Sequence, residues 1–541
     1  MKYRSILLLI ICIGLIAVSA CSKKDSVNKG EPSEDELQNL NDSAFPIVKE
    51  KISLDFFAVH VPEGHQDWND VLIFNEYEDK TNVNIDWEMV SSESYVEKRN
   101  LALGGGSLPD VFYNSYFSMP DLTKYGSQGV FIPLNDLIEN YAPNFKKLLE
   151  ENPTIEKAIT AADGNIYAFP TLNGPGFTTN IIGARPYINK KWLDALDMDM
   201  PETTEEFYQY LKAVKEKGPS NGKVEEVPFG GSSIEELINN YLLGSFGLAN
   251  KGLANTFIDR DPDSGDLRFY PVSEQYKEML EYVHKLYDEG LIEKNIFSID
   301  HNQFLTNLGE GRYGSVVWYP PEEVASKEHG KDYVGMPMLE GPYGDKTLAI
   351  KGLVDSAGAL VITNKNKYPA TTVRWADYFY SEEGMKHFFM GVEGKTYEID
   401  DDGNPRYMDH ITNSKDNLSL EEEVSKYLVV AGGGYPAMKT EAFYSGVEVT
   451  PQALEAVEKL EPNIMKDEDT WAPLNHTKEE LDQLLGFGTD IEKYVKEMRD
   501  KFIAGEESFA NWDKYLKELD SMGLDKYIKI KQDALDRQLD E

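Results

Sequence analysis

Aromatic side chains set in polar loops containing glycine or proline are the residues of this sequence best suited to a chemical task. Trp68 lies in HQDWND behind an apolar run; Asn114, Tyr116 and Phe117 follow PDVFY; Trp318 and Tyr319 precede Pro320-Pro321; Tyr435 sits in GGGYP and Trp471 in DTWAPLN. A pyranose ring offers a C–H face that stacks on Trp or Tyr, and its hydroxyls need fixed polar partners such as Asn, Asp and backbone groups. The chemistry therefore favours sugars, weighed against a plainer role for each ring as a core or loop anchor. Trp87, Trp192 and Trp375 fall on regular amphipathic elements and read as core.

Catalytic signatures are thin. There is no GxSxG elbow and no HExxH pair, and the 8 histidines are scattered, with His60 and His65 in a strand-end loop. Carboxylates are so numerous that a pair at glycosidase-like separation carries no weight. Gly309, Gly311 and Gly314 spell GxGxxG, but a helix precedes them and a strand follows, the reverse of a dinucleotide fingerprint. Gly391 to Thr396 echoes a phosphate loop whose first glycine position is Phe389. Asp259, Asp261 and Asp263 have EF-hand spacing, but Ser264 and Tyr270 stand where glycine and glutamate are required. No cofactor and no metal site is expected.

Two cysteines are present, Cys12 and Cys21. Lys2 and Arg4, an apolar run from Ile6 to Val18, and then Ser19, Ala20 and Cys21 resemble the signal and lipobox of bacterial lipoproteins, in which that cysteine is lipidated and becomes the new N-terminus. The apolar run is too short to cross a bilayer. Residues 1–20 then form a signal peptide, 21–44 a flexible, solvated linker, and the remainder a domain held at the extracytoplasmic face of the membrane by its lipid. With 54 Lys and Arg against 94 Asp and Glu, the net charge is −40. Such a surface repels nucleic acid, which excludes it as a partner.

Alternating elements must position the aromatic loops. Ile52–Val59 reads as a buried strand, Val71, Phe74 and Tyr77 as a helix face, and Val83 to Met89 as an alternating strand. Ser94 with Glu97, and Thr203 with Glu206, have capping-box spacing. Tyr276, Leu280, Val283 and Tyr287 mark a helix stopped at Gly290; Ser315–Tyr319 and Ala359–Thr363 read as strands, Asp402-Gly403 as a hairpin turn, and residues 476–540 as helical. At 541 residues, the alternation implies an α/β protein of more than one lobe, with parallel sheets covered on both faces.

The blocks GGGSLPDVFYNSYF (104–117), DGNIYAFPTLN (163–173), INKKWLDALDMDMPETTEEFYQYLKAVKEKG (188–218) and SAGALVITNKNKYPATTVRWADYFYSEEG (356–384) resemble extracellular solute-binding proteins of ABC importers, family 1, in the long lipoprotein branch associated with oligosaccharides. The resemblance implies a two-lobed periplasmic-binding-protein-like fold of type II. Lobe one would be 45–174 and 346–440, and lobe two 175–345 and 441–541. The hinge would lie near Phe169–Asn173 and Lys351–Gly358. The candidate ligand set is Trp68, Asn114, Tyr116, Asn173, Trp318, Tyr319, Tyr435 and Trp471, and the resemblance puts Trp318 foremost because the family places an aromatic there. Calcium in the family sits before an Ile/Val-Pro-Phe sequence; here Gly218 to Glu226 lacks the leading aspartate, and the site is expected to be lost. The implied function is capture of an oligosaccharide and its delivery to an ABC permease by a monomeric, lipid-anchored protein. The alternatives are a peptide ligand on the same fold, a cell-surface carbohydrate-active enzyme, or a lipoprotein without a transport role.

Overall fold

The computed structural model describes residues 30–540 apart from 43, 62–63, 251–255, 262–263, 402, 417, 430–434, 445–448, 467–468 and 472. Cys21 and the segment before it lie outside the described residues. Fourteen strands occur in the described chain: β1 Ile52–His60, β2 Val83–Ser91, β3 Val111–Phe117, β4 Ala168–Asn173, β5 Arg185–Asn189, β6 Val227–Gly230, β7 Ile258–Arg260, β8 Leu267–Phe269, β9 Tyr313–Trp318, β10 Tyr333–Gly335, β11 Val354–Ile362, β12 Tyr397–Ile399, β13 Pro405–Tyr407 and β14 Met438–Lys439.

Two α/β lobes follow from how these strands pair. The first sheet has the order β14-β4-β11-β3-β1-β2 and the second β10-β5-β9-β6, while β7-β8 and β12-β13 are separate hairpins. In the first sheet β1 runs parallel to β2 and β3, and β11 lies antiparallel between β3 and β4. The chain passes between the sheets after β4, returns before β11, and leaves again after β14. Each sheet has its own apolar core. One gathers Phe56, Trp87, Tyr113, Phe145, Phe169, Leu360 and Trp375. The other gathers Ile188, Phe207, Phe229, Leu280, Phe502 and Trp512, and takes in Leu348 and Ile350 from the returning strand. The C-terminal helices, from Lys478–Gln483 through Leu524–Asp540, pack on the second core.

Local signals set several boundaries. Thr203 and Glu206 form a complete capping box that opens the helix Thr204–Lys217, which ends at Gly218 in the left-handed region. The capping-box spacing of Ser94 and Glu97 does not start a helix. β2 runs straight into the helix Ser92–Gly105, Ser91 takes the cap position, and the Ser94 hydroxyl turns back to Ser91. Gly309 closes the helix His301–Gly309, and Gly311, at φ +68°, turns the chain into β9. The first two glycines of the GxGxxG run therefore end the helix and turn the chain, and the third, Gly314, lies inside β9.

The linker expected over 21–44 is shorter than its polarity suggests. Ser33 caps the helix Glu34–Asn39, and Leu40 is buried beside it. The Glu36 carboxylate lies 1% exposed and accepts the Thr371 amide at 2.8 Å and its hydroxyl at 3.1 Å. Arg374 donates to the Asn41 carbonyl at 2.6 Å. This strap is tied to lobe one. Burial raises the Glu36 pKa to about 7, against the opposing hydrogen bonds from Thr371. Because the folded value lies above the unfolded one, the stabilisation is complete below the unfolded value of about 4.5 and is lost as pH rises through about 7. Protection factors over residues 33–40, with exchange normalised to the intrinsic rate at each pH, should therefore be roughly tenfold or more lower at pH 8 than at pH 5.5, and Glu36→Gln should flatten that difference. Equal protection at both pH values would exclude a buried carboxylate as the clasp.

Candidate functional site

The strand registers direct specific ends of both sheets toward the crossings. Phe117, at the end of β3, pairs with Gly358 in the middle of β11, and Leu172, near the end of β4, pairs with Val354 at its start. In the second sheet Arg185, the first residue of β5 after the crossing, pairs with Trp318, the last residue of β9. The C-terminal ends of β3, β4 and β9 thus meet around the same connecting segments, which is where open α/β sheets bind ligands.

On the lobe-one side, β3 ends in a bulge. Residues 114–116 are opposed by Ala359 alone, and Asn114 (φ +51°) and Tyr116 (φ +48°) both adopt the left-handed conformation. Non-glycine residues reach that region only when their surroundings hold them there. Here the Asn114 amide donates to the Val59 carbonyl at 3.3 Å, the Ser115 hydroxyl to Gly358 at 2.8 Å, and the Tyr95 hydroxyl to the Ser115 carbonyl at 2.7 Å. The kink turns Tyr116 outward to 49% exposure and keeps Asn114 buried behind it, its Oδ1 without a partner among the described residues. A fixed, exposed ring backed by an amide is the arrangement a sugar face requires.

The lobe-two side carries Trp318, half-buried, with Phe304 edge-on at 5.3 Å and Tyr319 at 5.5 Å between ring centres. Pro320 and Pro321 then end the strand. After β6, Gly230 and Gly231 lead into the turn Ile234–Leu237, which continues as a π-turn over Ile238–Leu242. Such turns widen a helix by one residue and recur at functional sites. The π-turn brings Asn240 to donate to Glu236, whose pKa burial raises to about 7 against the opposing pull of Asn240 and Lys351.

A polar network forms the floor. Asn173 donates to the Gly352 carbonyl at 2.9 Å and accepts from Asn180, and the Lys351 amide donates to Ile181 at 2.8 Å, tying the two crossings together. Asp355 pairs with Lys351 at 3.3 Å and with the buried Lys439 at 3.5 Å. Burial alone would push the Asp355 carboxyl up, but the two ammonium groups overcome it and hold it at about 2. Beside these segments lies a cavity of about 740 Å³ walled by both cores, with Ala158, Ile181, Val354, Ile464 and Trp471 among its lining.

The structure distributes the expected residues unevenly. Tyr116, Trp318 and Tyr319 stand at the two rims with Asn114 behind, and Asn173 lies in the floor. Trp471 is buried in the second core, with the Arg260 guanidinium over its ring and one face on the cavity. Trp68 and Tyr435 lie inside the first core, their rings 5.9 Å apart and packed on Tyr113; Trp68 also packs on Trp87, and its indole N–H donates to His65 at 2.9 Å. Glu236, Asn240 and Arg185 were not singled out in the sequence, and Lys351 and Asp355 entered only as part of the expected hinge segment. In the segment before Val227-Pro228-Phe229, where the calcium site was expected to be lost, Glu225 pairs with Arg312 and Glu226 accepts the Ser220 amide. Among the described residues no three His, Cys, Asp or Glu side chains group to hold a metal ion, and no helix is long and apolar enough to cross a membrane.

Comparisons with known proteins agree with this architecture. The chain is 29% identical to the fructooligosaccharide ABC transporter substrate-binding protein FusA of Streptococcus pneumoniae serotype 4, over 97% of this chain and 96% of that protein. It is 25% identical to the lipoprotein LipO of Bacillus subtilis, over 72% of this chain and 73% of that protein. The solved S. pneumoniae FusA complex with kestose superposes with a TM-score of 0.77 at 28% identity, covering 91% of this chain and 100% of that one. A model of the bacterial extracellular solute-binding proteins matches residues 66–386. With that match and the two-lobed fold, the chain belongs to the bacterial extracellular solute-binding protein family.

Proposed function

We propose that this protein is the lipid-anchored binding component of an ABC importer, taking an oligosaccharide between its lobes and presenting the closed form to a permease. The observation that carries the reading is the convergence of Tyr116 and Trp318, one from each sheet, on the crossing segments. A stacking ring on each lobe makes closure favourable only when a sugar joins them. Similarity to proteins named for fructooligosaccharide and for lipoprotein character supports the ligand class and the anchor. The ligand-contacting set is Asn114, Tyr116, Asn173, Trp318 and Tyr319, with Glu236 and Asn240 added from the π-turn. We place the lobes at 45–174 with 346–440 and at 175–345 with 441–541. Core membership supports moving the second crossing to about residue 351 and assigning the strap at 33–40 to lobe one. The protein acts as a monomer and breaks no bond.

A thermal-shift screen of neutral and acidic oligosaccharides on the mature protein tests this. At least one glycan should raise the melting temperature by several degrees without release of reducing ends. A silent screen rejects sugar capture, and reducing-end release makes the protein an enzyme. Cys21→Ala should yield a folded, binding-competent protein recovered from the medium, and retention on membranes would reveal another anchor.

A further inference from the structure

Arg185 stands out beneath the first crossing, under the segment that carries Thr179 and Asn180. Its side chain is fully buried, and its one hydrogen bond runs from Nη2 to the Thr179 carbonyl. Nε and Nη1 have no partner, and it forms no ion pair with any described residue. This occurs in a chain with 94 carboxylate side chains against 54 Lys and Arg. A buried guanidinium is costly unless an anion faces it, and removing either member of such a pair is strongly unfavourable. The neighbouring cations differ in this respect, since Lys351 and Lys439 meet on Asp355.

The position of Arg185 matters as much as its bonding. It is directly opposite Trp318 in the β5–β9 register, so the two side chains leave the same face of the second sheet. The segment covering it, Thr178–Ile182, belongs to the first crossing, which must shift when the lobes move apart. That segment adds two further unfilled groups, the Thr179 hydroxyl and the Asn180 Oδ1. Charged donor, hydroxyl and amide oxygen together suit a sugar ring bearing both hydroxyls and a carboxylate.

We propose that Arg185 is the specificity-determining residue of this site and that the ligand is an acidic oligosaccharide, its uronate carboxylate held by the free N–H groups of Arg185 while a ring of the same ligand stacks on Trp318. The assignment rests on the sugar-binding reading above and names its substrate class. Neutral oligosaccharides leave the guanidinium without an anion and bind more weakly.

Isothermal titration of the mature protein provides the test. The probes are short oligogalacturonates, oligoalginates and oligoglucuronates, the methyl-esterified form of each, and neutral fructo- and malto-oligosaccharides of matching length. At least one acidic probe should bind, and esterification should weaken it by roughly tenfold or more, as expected for loss of a buried charge-assisted hydrogen bond. Arg185→Gln should produce a similar loss for the acidic probe, with partial recovery in Arg185→Lys. The esterified ligands keep the test decisive even if the buried arginine cannot be replaced without unfolding. Equal or tighter binding of a neutral oligosaccharide would overturn the proposal and leave sugar capture standing. Failure of every glycan to bind would overturn both.

Discussion

Truncating Trp318 to alanine is expected to weaken ligand binding by roughly 10- to 100-fold while leaving the fold intact. The ring is half-buried at the end of β9, where it contacts Phe304, His301 and Tyr319 at the edge of the small cluster around Phe304, Tyr313 and Val316. Its loss removes a stacking platform that contributes on the order of 2 kcal/mol in a water-excluded site, and costs the second lobe only the edge of one cluster. Calorimetry with the highest-affinity glycan, alongside a melting curve of the free variant, separates the two effects. Unchanged affinity would remove Trp318 from the site. A collapse in melting temperature would assign it to the core.

Asp355→Asn should produce the largest loss of stability. The carboxylate joins Lys351 of the returning strand to Lys439 of β14, and the Lys439 side chain is 2% exposed. Neutralising it leaves a buried ammonium without this counter-charge, at a cost of about 3 kcal/mol or more. Because the folded pKa is depressed to about 2, the contribution is present in full above the unfolded value of 3.8 and fades only as pH falls through about 2. The variant should therefore melt roughly 5–10 °C lower, by a margin that stays constant between pH 5 and pH 8. A deficit that varied across that interval would show that a different group carries the effect. Since the network ties both crossings, ligand affinity should also fall.

Features fixed by near neighbours were legible in the sequence, and those fixed by distant ones were not. The capping box of Thr203 and Glu206 needs only three residues and formed as its spacing predicts. Ser94 and Glu97 have the same spacing, but the hydrogen-bonded run of β2 reaches Ser91 and leaves no room for a separate cap. The strap at 33–40 is polar in isolation, and its docking depends on Thr371, 335 residues further along. Trp68 and Tyr435 occupy polar loops, a pattern that suggests exposure, yet their rings turn inward onto Tyr113. Arg185 lies in the short strand RPYIN and carries no spacing signal at all. Its significance appears only when the missing partner atoms are counted.

Small-angle scattering of the mature protein, titrated with the glycan that most raises its melting temperature, addresses the central claim of capture by lobe closure. The radius of gyration should fall on binding, saturate at one ligand per chain, and show no change for Trp318→Ala at the same glycan concentration. A radius that stays constant while calorimetry reports full occupancy would contradict closure and place the sugar on one lobe alone.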